Sequence, residues 1–186
     1  MNIGAHIGTF DIAAASLVKE IPFACSVEMN PRTFTRLNFN LHLNGLAQVT
    51  TINAGAGGKN GTAGVRPTGC SLADNLFANG ATAMDGKDDF TVPVLTLATV
   101  LEQAGMADRE FDLLKVDCEG AEYSIIAESS PSLMRRFANI VMELHPEPAG
   151  ESADALYRKL ADCGFRTDQP PCVPSQEPGI RFWHRA

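Results

Sequence analysis

The chain has little of what would mark it for a bilayer, a nucleic acid or an oxidising compartment. None of its apolar runs reaches the roughly eighteen residues that a membrane span requires. It has no excess of positive charge: 15 Lys and Arg stand against 22 Asp and Glu, for a net charge of −7 and a pI near 5.0. That balance argues against nucleic acid and anionic membranes as partners. Met1–Glu20 carries no basic leader ahead of an apolar block, so it does not read as a signal peptide. The five cysteines, Cys25, Cys70, Cys118, Cys163 and Cys172, include no C-x-x-C pair, which removes the usual zinc and redox motifs. Scattered thiols in odd number fit a reducing, cytoplasmic setting. Only Cys118 lies in a charged turn, and strand alternation would turn it away from Asp117. No metal site is expected either, because the acids and His in this part of the chain lack a ligand-spacing signature.

What the chain does have is an alternation of strand and helix signals around one unusual stretch, Phe111–Tyr123. There the apolar run Phe111–Leu114 breaks into Lys115, Asp117, Glu119 and Glu122, with Gly120 among them. Such a pattern predicts a buried strand that delivers polar groups to a turn before a helix. In an open α/β sheet, ligands bind in the crevice outside the carboxyl ends of the strands. Gly4 and Gly8 bracket a small-residue turn feeding a helix, a place where free backbone amides can approach a ligand. The spacing is not G-x-G-x-x-G, so the dinucleotide fingerprint is not met. Phe23–Val27 predicts a second strand ending at Glu28, at about the distance from Gly4 where an acid reaches ribose hydroxyls. Asn30-Pro31 reads as the N-cap and first residue of a helix to about Leu43.

Val49–Ile52 predicts a third strand ending at Asn53-Ala54, and Asn60-Gly61 is the strongest short hairpin signal in the chain. Residues 62–89 read as an irregular excursion. A strand at Val92–Leu95 and a helix at Thr96–Gly105 follow. Ile140–Leu144 is another apolar strand, placing Glu143 and His145 on one face before Pro146. Ser152–Cys163 reads as an amphipathic helix, and Phe165–Thr167 with Ile180–His184 as closing antiparallel strands. This order predicts a mainly parallel sheet with helices on both faces and a C-terminal antiparallel hairpin, in a single domain over residues 1–186.

Several motifs, in order, resemble the FkbM family of S-adenosylmethionine-dependent methyltransferases. NIGAHIGTF resembles the family's D-(I/V)-G-A-N-x-G-x-(F/Y), and VEMNPRTFTRLNFNLHLN its E-P-x-P-x-x-F-x-x-L-x-x-N-x-x-x-N. VPVLTLATVL resembles the V-x-T-L-D-x-L lead-in, LLKVDCEGAE the block K-(I/V)-D-(V/C)-E-G-x-E, and IVMELHP the closing (I/V)-x-E-x-H. The resemblance implies a class I methyltransferase-like (Rossmann-like) fold with S-adenosylmethionine as donor. It implies that Gly4, Ala5, His6 and Gly8 line the methionine part, and that Glu28 holds the ribose, with Met29 and Asn30 beside the adenine. Asn53 and Ala54 would border the ring, Asp117 would sit near the sulfonium, Glu119 and Glu122 at the acceptor side, and His145 across the crevice.

Three departures stand out. Asn2 occupies the place of an acid, His6 that of an Asn, and the first strand of the fold is expected to be missing, as in an N-terminally truncated chain. The function expected is methylation of a hydroxyl on a small molecule, a sugar or natural product, with His145, Asp117 and Glu119 as the catalytic residues. His145 is the first candidate for a base, because imidazole titrates near working pH. Lys115 is expected to pair with a carboxylate. The competing readings are a nicotinamide-dependent oxidoreductase and a non-catalytic, homo-oligomerising α/β domain.

Overall fold

Short apolar, β-branched runs that end in charge become the inner strands of one sheet. The computed structural model describes residues 1–18, 24–65, 90–170 and 179–185. The chain runs through β1 (Asn2–Ile3), α1 (Thr9–Leu17), β2 (Cys25–Glu28), α2 (Pro31–Leu43) and β3 (Thr50–Asn53). Three strands set apart from the main sheet come next: β4 (Gly55–Ala56), β5 (Gly61–Val65) and β6 (Phe90–Leu95). They lead to α3 (Leu97–Gln103), β7 (Phe111–Val116), α4 (Glu122–Glu128), α5 (Pro131–Met134) and β8 (Phe137–Leu144). Last come α6 (Ala153–Asp162), β9 (Phe165–Arg166) and β10 (Gly179–Arg185).

The main sheet has the order β3-β2-β1-β7-β8-β10-β9. β1, β2, β3, β7 and β8 are parallel, whereas β10 runs antiparallel to both β8 and β9. The expected C-terminal antiparallel pairing is therefore present. Register puts Asn2 level with Ser26 and Lys115, and Ile3 level with Val27 and Val116. Consecutive residues in a strand face opposite ways, so one side of the sheet centre is polar and the other apolar. The apolar side belongs to the larger core cluster, which joins Ile3, Val27, Leu114 and Val116 to Val100, Ile125 and Leu160 of the helices. A smaller cluster of Ala5, Leu37, Leu41, Leu46 and Val49, with Ile12 and Phe34 against it, lies beneath α1 and α2.

Two expectations change. The first strand is not missing: it is present as two residues, Asn2–Ile3, at the centre of the sheet. The carbonyls of Met1 and Ile3 accept from the backbone N–H groups of Lys115 and Asp117, so even this short strand closes the gap between β2 and β7. The hairpin read at Asn60-Gly61 does not form, because β6 lies between β4 and β5 and pairs with both. Asn60 serves α3 instead: its Oδ1 accepts from Thr96 N–H at 2.8 Å and its Nδ2 donates to Thr99 Oγ1 at 2.8 Å. Part of the excursion expected from residue 62 is ordered as β5, and the remainder, 66–89, lies outside the described residues. So do Phe23, Cys70 and Cys172. Cys25, Cys118 and Cys163 are free thiols.

Candidate functional site

The strand order reverses at β1, whose neighbours are β2 and β7, and a crevice at the carboxyl ends of these strands is where such a sheet takes a ligand. The loop leaving β1 turns through Gly4 at φ 77, His6 at φ 51 and Gly8 at φ 87. At Gly4 no side chain fits: a Cβ there would stand 1.7 Å from the carbonyl oxygen of Asp117. The loop therefore lies directly against the charged turn that follows β7. His6 occupies the left-handed region that Asn tolerates best among residues with a Cβ, which accounts for an Asn at this place in the resembling motif. Its backbone N–H donates to Glu28 Oε2 at 2.9 Å, and Asn30 N–H donates to Glu28 Oε1 at 2.8 Å. Both oxygens of a largely buried carboxylate, 7% exposed, are thus fixed in direction by the backbone. Asn53, at the end of β3, donates from Nδ2 to the carbonyls of Glu28 and Met29 at 2.8 and 3.0 Å.

Other residues read as donor-binding are engaged in the framework. Ala5 packs into the smaller core cluster, while its N–H donates to Val27 O at 2.9 Å. A Cβ on Gly8 would lie 2.9 Å from Leu37 Cδ1, so this glycine lets α2 approach the start of α1. Ala54 is buried in the larger cluster. Asn30 caps α2, its Oδ1 accepting from Arg32 N–H at 2.9 Å and Thr33 N–H at 3.3 Å. Met29 is partly buried. On this side of the crevice, Glu28, Asn53 and the loop backbone are the groups best arranged to meet a polar ligand.

Across the crevice, Lys115 bridges the two halves: Nζ donates to Gly4 O at 2.8 Å and pairs with Asp117 Oδ2 at 3.0 Å. Asp117 itself is one-third exposed. Glu119 follows at φ 55, left-handed although it is not a glycine, and its Oε2 lies 3.4 Å from His145 Nε2. On the other side of that ring, Nδ1 lies 3.1 Å from Glu122 Oε1, which also accepts from His145 N–H at 2.8 Å. Glu122 Oε2 accepts from Gly120 N–H at 2.9 Å, and Tyr123 OH donates to His145 O at 2.7 Å. Burial alone would lower the His145 pKa, but hydrogen bonding and charge from Glu122, then Glu119, outweigh it and the net shift is upward. Burial raises the Glu119 pKa, with the negative charge of Asp117 and Glu143 adding to the rise and His145 opposing it. Cys118, whose Sγ lies 3.9 Å from Glu122 Oε2, has its thiol pushed up by burial and by Glu122 and Asp117, which keeps it protonated.

Glu119 and His145, expected on opposite sides of the crevice, are thus brought together, and Asp117 is near enough for its charge to act on both. Glu122 is not at the acceptor side: it is fully buried and holds His145 from behind. Its inward face was readable from its spacing to Ile125 and Ile126, three and four residues on. Asp11 carried no such signal. It reaches under the sheet from α1 and accepts from Asn2 Nδ2 and Ser26 Oγ, each at 2.8 Å. Among the described residues no group of three or more His, Cys, Asp or Glu side chains is placed to hold a metal ion.

Residues 2–167 match the sequence profile of the Methyltransferase FkbM domain. No curated protein matches the chain significantly. Among solved structures, the FkbM methyltransferase of Methylobacillus flagellatus aligns over 98% of this chain at 13% identity and a TM-score of 0.61. This chain covers only 42% of that one, less than half its length. Aeropyrum pernix fibrillarin, with natively bound S-adenosyl-L-methionine, aligns over 98% of this chain and 64% of its own, at 12% identity and a TM-score of 0.53. The N-terminal domain of EvdMO1, crystallised in the presence of SAH and D-fucose, aligns over 100% of this chain and 74% of its own, at 12% identity and a TM-score of 0.52. At these identities the likeness is one of fold.

Proposed function

We propose, from the premise that this chain belongs to the FkbM methyltransferase family, that it methylates a hydroxyl of a small molecule with S-adenosylmethionine as donor. The observation that carries the reading is a pair of polar clusters at the carboxyl ends of the parallel strands. One is a carboxylate fixed by backbone amides, and the other a His flanked by two carboxylates. S-adenosylmethionine, when bound, supplies a methyl group on a positively charged sulfur.

The residues present fit such a donor. Glu28 presents two oxygens to a vicinal diol, and a carboxylate with about four lone-pair sites can serve backbone amides and ribose hydroxyls together. Asn53 is held through its Nδ2, so its Oδ1 is the atom that would accept from an adenine amino group. Gly4 and the left-handed turn at His6 bring the loop backbone close enough to touch the methionine part. Asp117 would lie toward the sulfonium, its charge tempered by Lys115.

On the acceptor side the chain has two tasks, to hold the hydroxyl near the methyl and to take its proton. Holding alone accounts for much of such an acceleration. Proton removal falls to the His145 cluster, whose Glu119 lies two residues beyond Asp117 and whose ring feels the Asp117 charge. A sugar is the first acceptor class to try, given the D-fucose present with the EvdMO1 domain.

Calorimetric titration of the purified chain with S-adenosylhomocysteine tests the donor half. Saturable binding, weakened at least tenfold in Glu28→Ala, is expected, with no heat from NADH. A folded chain that binds neither would overturn the reading in favour of a non-catalytic domain, and binding of NADH alone would favour an oxidoreductase. Transfer of labelled methyl to a panel of hexoses and their deoxy derivatives then tests the acceptor half.

A further inference from the structure

Glu122 and His145 form one buried unit. Both Glu122 oxygens accept from backbone N–H groups, Oε1 from His145 and Oε2 from Gly120, and Oε1 also lies 3.1 Å from Nδ1, so in that contact Glu122 is the acceptor and Nδ1 carries the hydrogen. In a neutral ring Nε2 is then a bare lone pair, and it faces Glu119 Oε2 at 3.4 Å. Two acceptors at that distance repel until one of them takes up a proton, and a modest approach from 3.4 Å then closes the hydrogen bond between them. We propose that Glu119 and His145 Nε2 share a single proton, held in place by Glu122, and that the pair after losing this proton is the base that accepts the proton of the acceptor hydroxyl through Glu119. Glu122 is the positioning residue of this relay.

Exposure assigns the order of the groups. The side chain of Glu122 is 0% exposed, that of His145 8% and that of Glu119 29%. Of these three Glu119 is the one most open to an incoming hydroxyl, while its Oε2 stays 3.4 Å from the ring. The other groups facing the pair act in one direction. Asp117 at the end of β7 and Glu143 on β8 add negative charge and favour keeping the proton. Lys115 is engaged by Asp117 and Gly4 O, and the Cys118 thiol stays neutral.

The balance closes within the chain and water. The hydroxyl oxygen gains the methyl and loses its hydrogen, the donor sulfur keeps the electron pair of the broken bond, and the released proton becomes the shared one. The pair returns it to water before the next turnover. The proposal rests on the methyl-transfer reading for the identity of the reaction, but not for the sharing itself.

Nuclear magnetic resonance of the whole chain, labelled in its imidazole rings, tests the sharing without any donor. The four histidines are told apart by the signal lost in His145→Gln. In the wild type, His145 should keep hydrogen on Nδ1 across the titration and should titrate above the ordinary 6.5. Glu119→Gln should move that midpoint down without changing the tautomer, whereas Glu122→Gln should move it down and release the tautomer. In activity, Glu119→Gln should lower kcat by about a hundredfold or more with affinity for S-adenosylhomocysteine unchanged. An unmoved midpoint in Glu119→Gln would overturn the proposal. Should Glu122→Gln fail to fold, the partly exposed Glu119 variant carries the test alone. Absence of donor binding by the wild type would instead sink the methyl-transfer reading and leave the titration result standing.

Discussion

Gly4 has the least freedom of any residue around the crevice. Its φ of 77 strains a residue with a Cβ, and that Cβ would collide with the Asp117 carbonyl. Gly4→Ala should therefore cost about 3 kcal/mol or more of stability, measured by urea denaturation, and donor binding should vanish with it. His6 shares the left-handed geometry but meets Glu28 through its backbone N–H. His6→Asn should keep stability within about 0.5 kcal/mol and donor affinity within about threefold, whereas His6→Val, β-branched in a left-handed turn, should lose about 1–2 kcal/mol. The sequence carried part of this: an Asn expected at the position of His6 is itself a sign of positive φ. It could not announce that Ala5 and Ala54 point into core while their neighbours face the crevice, because small residues suit a tight turn and a packed interior equally.

At the scale of elements, caps and buried polar contacts set what each segment contributes. Asn30 ends β2 and starts α2 at once, holding Arg32 and Thr33 N–H with its side chain and Glu28 with its own N–H. Asn30→Ala should cost about 1 kcal/mol in a melting experiment and should also loosen Glu28, seen as weaker binding of S-adenosylhomocysteine. Asp11 holds α1 to the polar side of the sheet centre. Removing it in Asp11→Ala leaves the Asn2 amide and the Ser26 hydroxyl without their acceptor, at a cost of about 2 kcal/mol. The helix boundaries were readable because Asn30-Pro31, Thr96 and Gly105 act locally. The side sheet was not. Asn60-Gly61 satisfies the local rule for a hairpin, yet the strand that pairs with β5 starts only at Phe90, and a short-range signal cannot report so distant a partner.

For the whole molecule, strand and helix alternation was enough to foresee a mainly parallel sheet, since period-2 and helical patterns are set by which faces must be buried. The spacing of Glu122 to Ile125 and Ile126 marks its inward face, but its contact with His145 was not legible, because only the tertiary fold brings His145 against it. That contact gives the chain a dependence on pH. The folded His145 pKa lies above the ordinary 6.5, so between those values the folded state holds a proton that the unfolded state has released. The stabilisation is complete below 6.5 and is lost as pH rises through the folded value. The melting temperature should fall over that interval, and the fall should be shallower in His145→Gln. A melting temperature flat across it would contradict the assignment. Finally, Gly4 in contact with Asp117 O and Lys115 bound to Gly4 O give the two walls of the crevice a shared seam. Where a molecule bound at one wall tightens this seam, linkage makes any effect on the other wall mutual: whatever factor a bound donor adds to acceptor affinity, a bound acceptor returns to the donor.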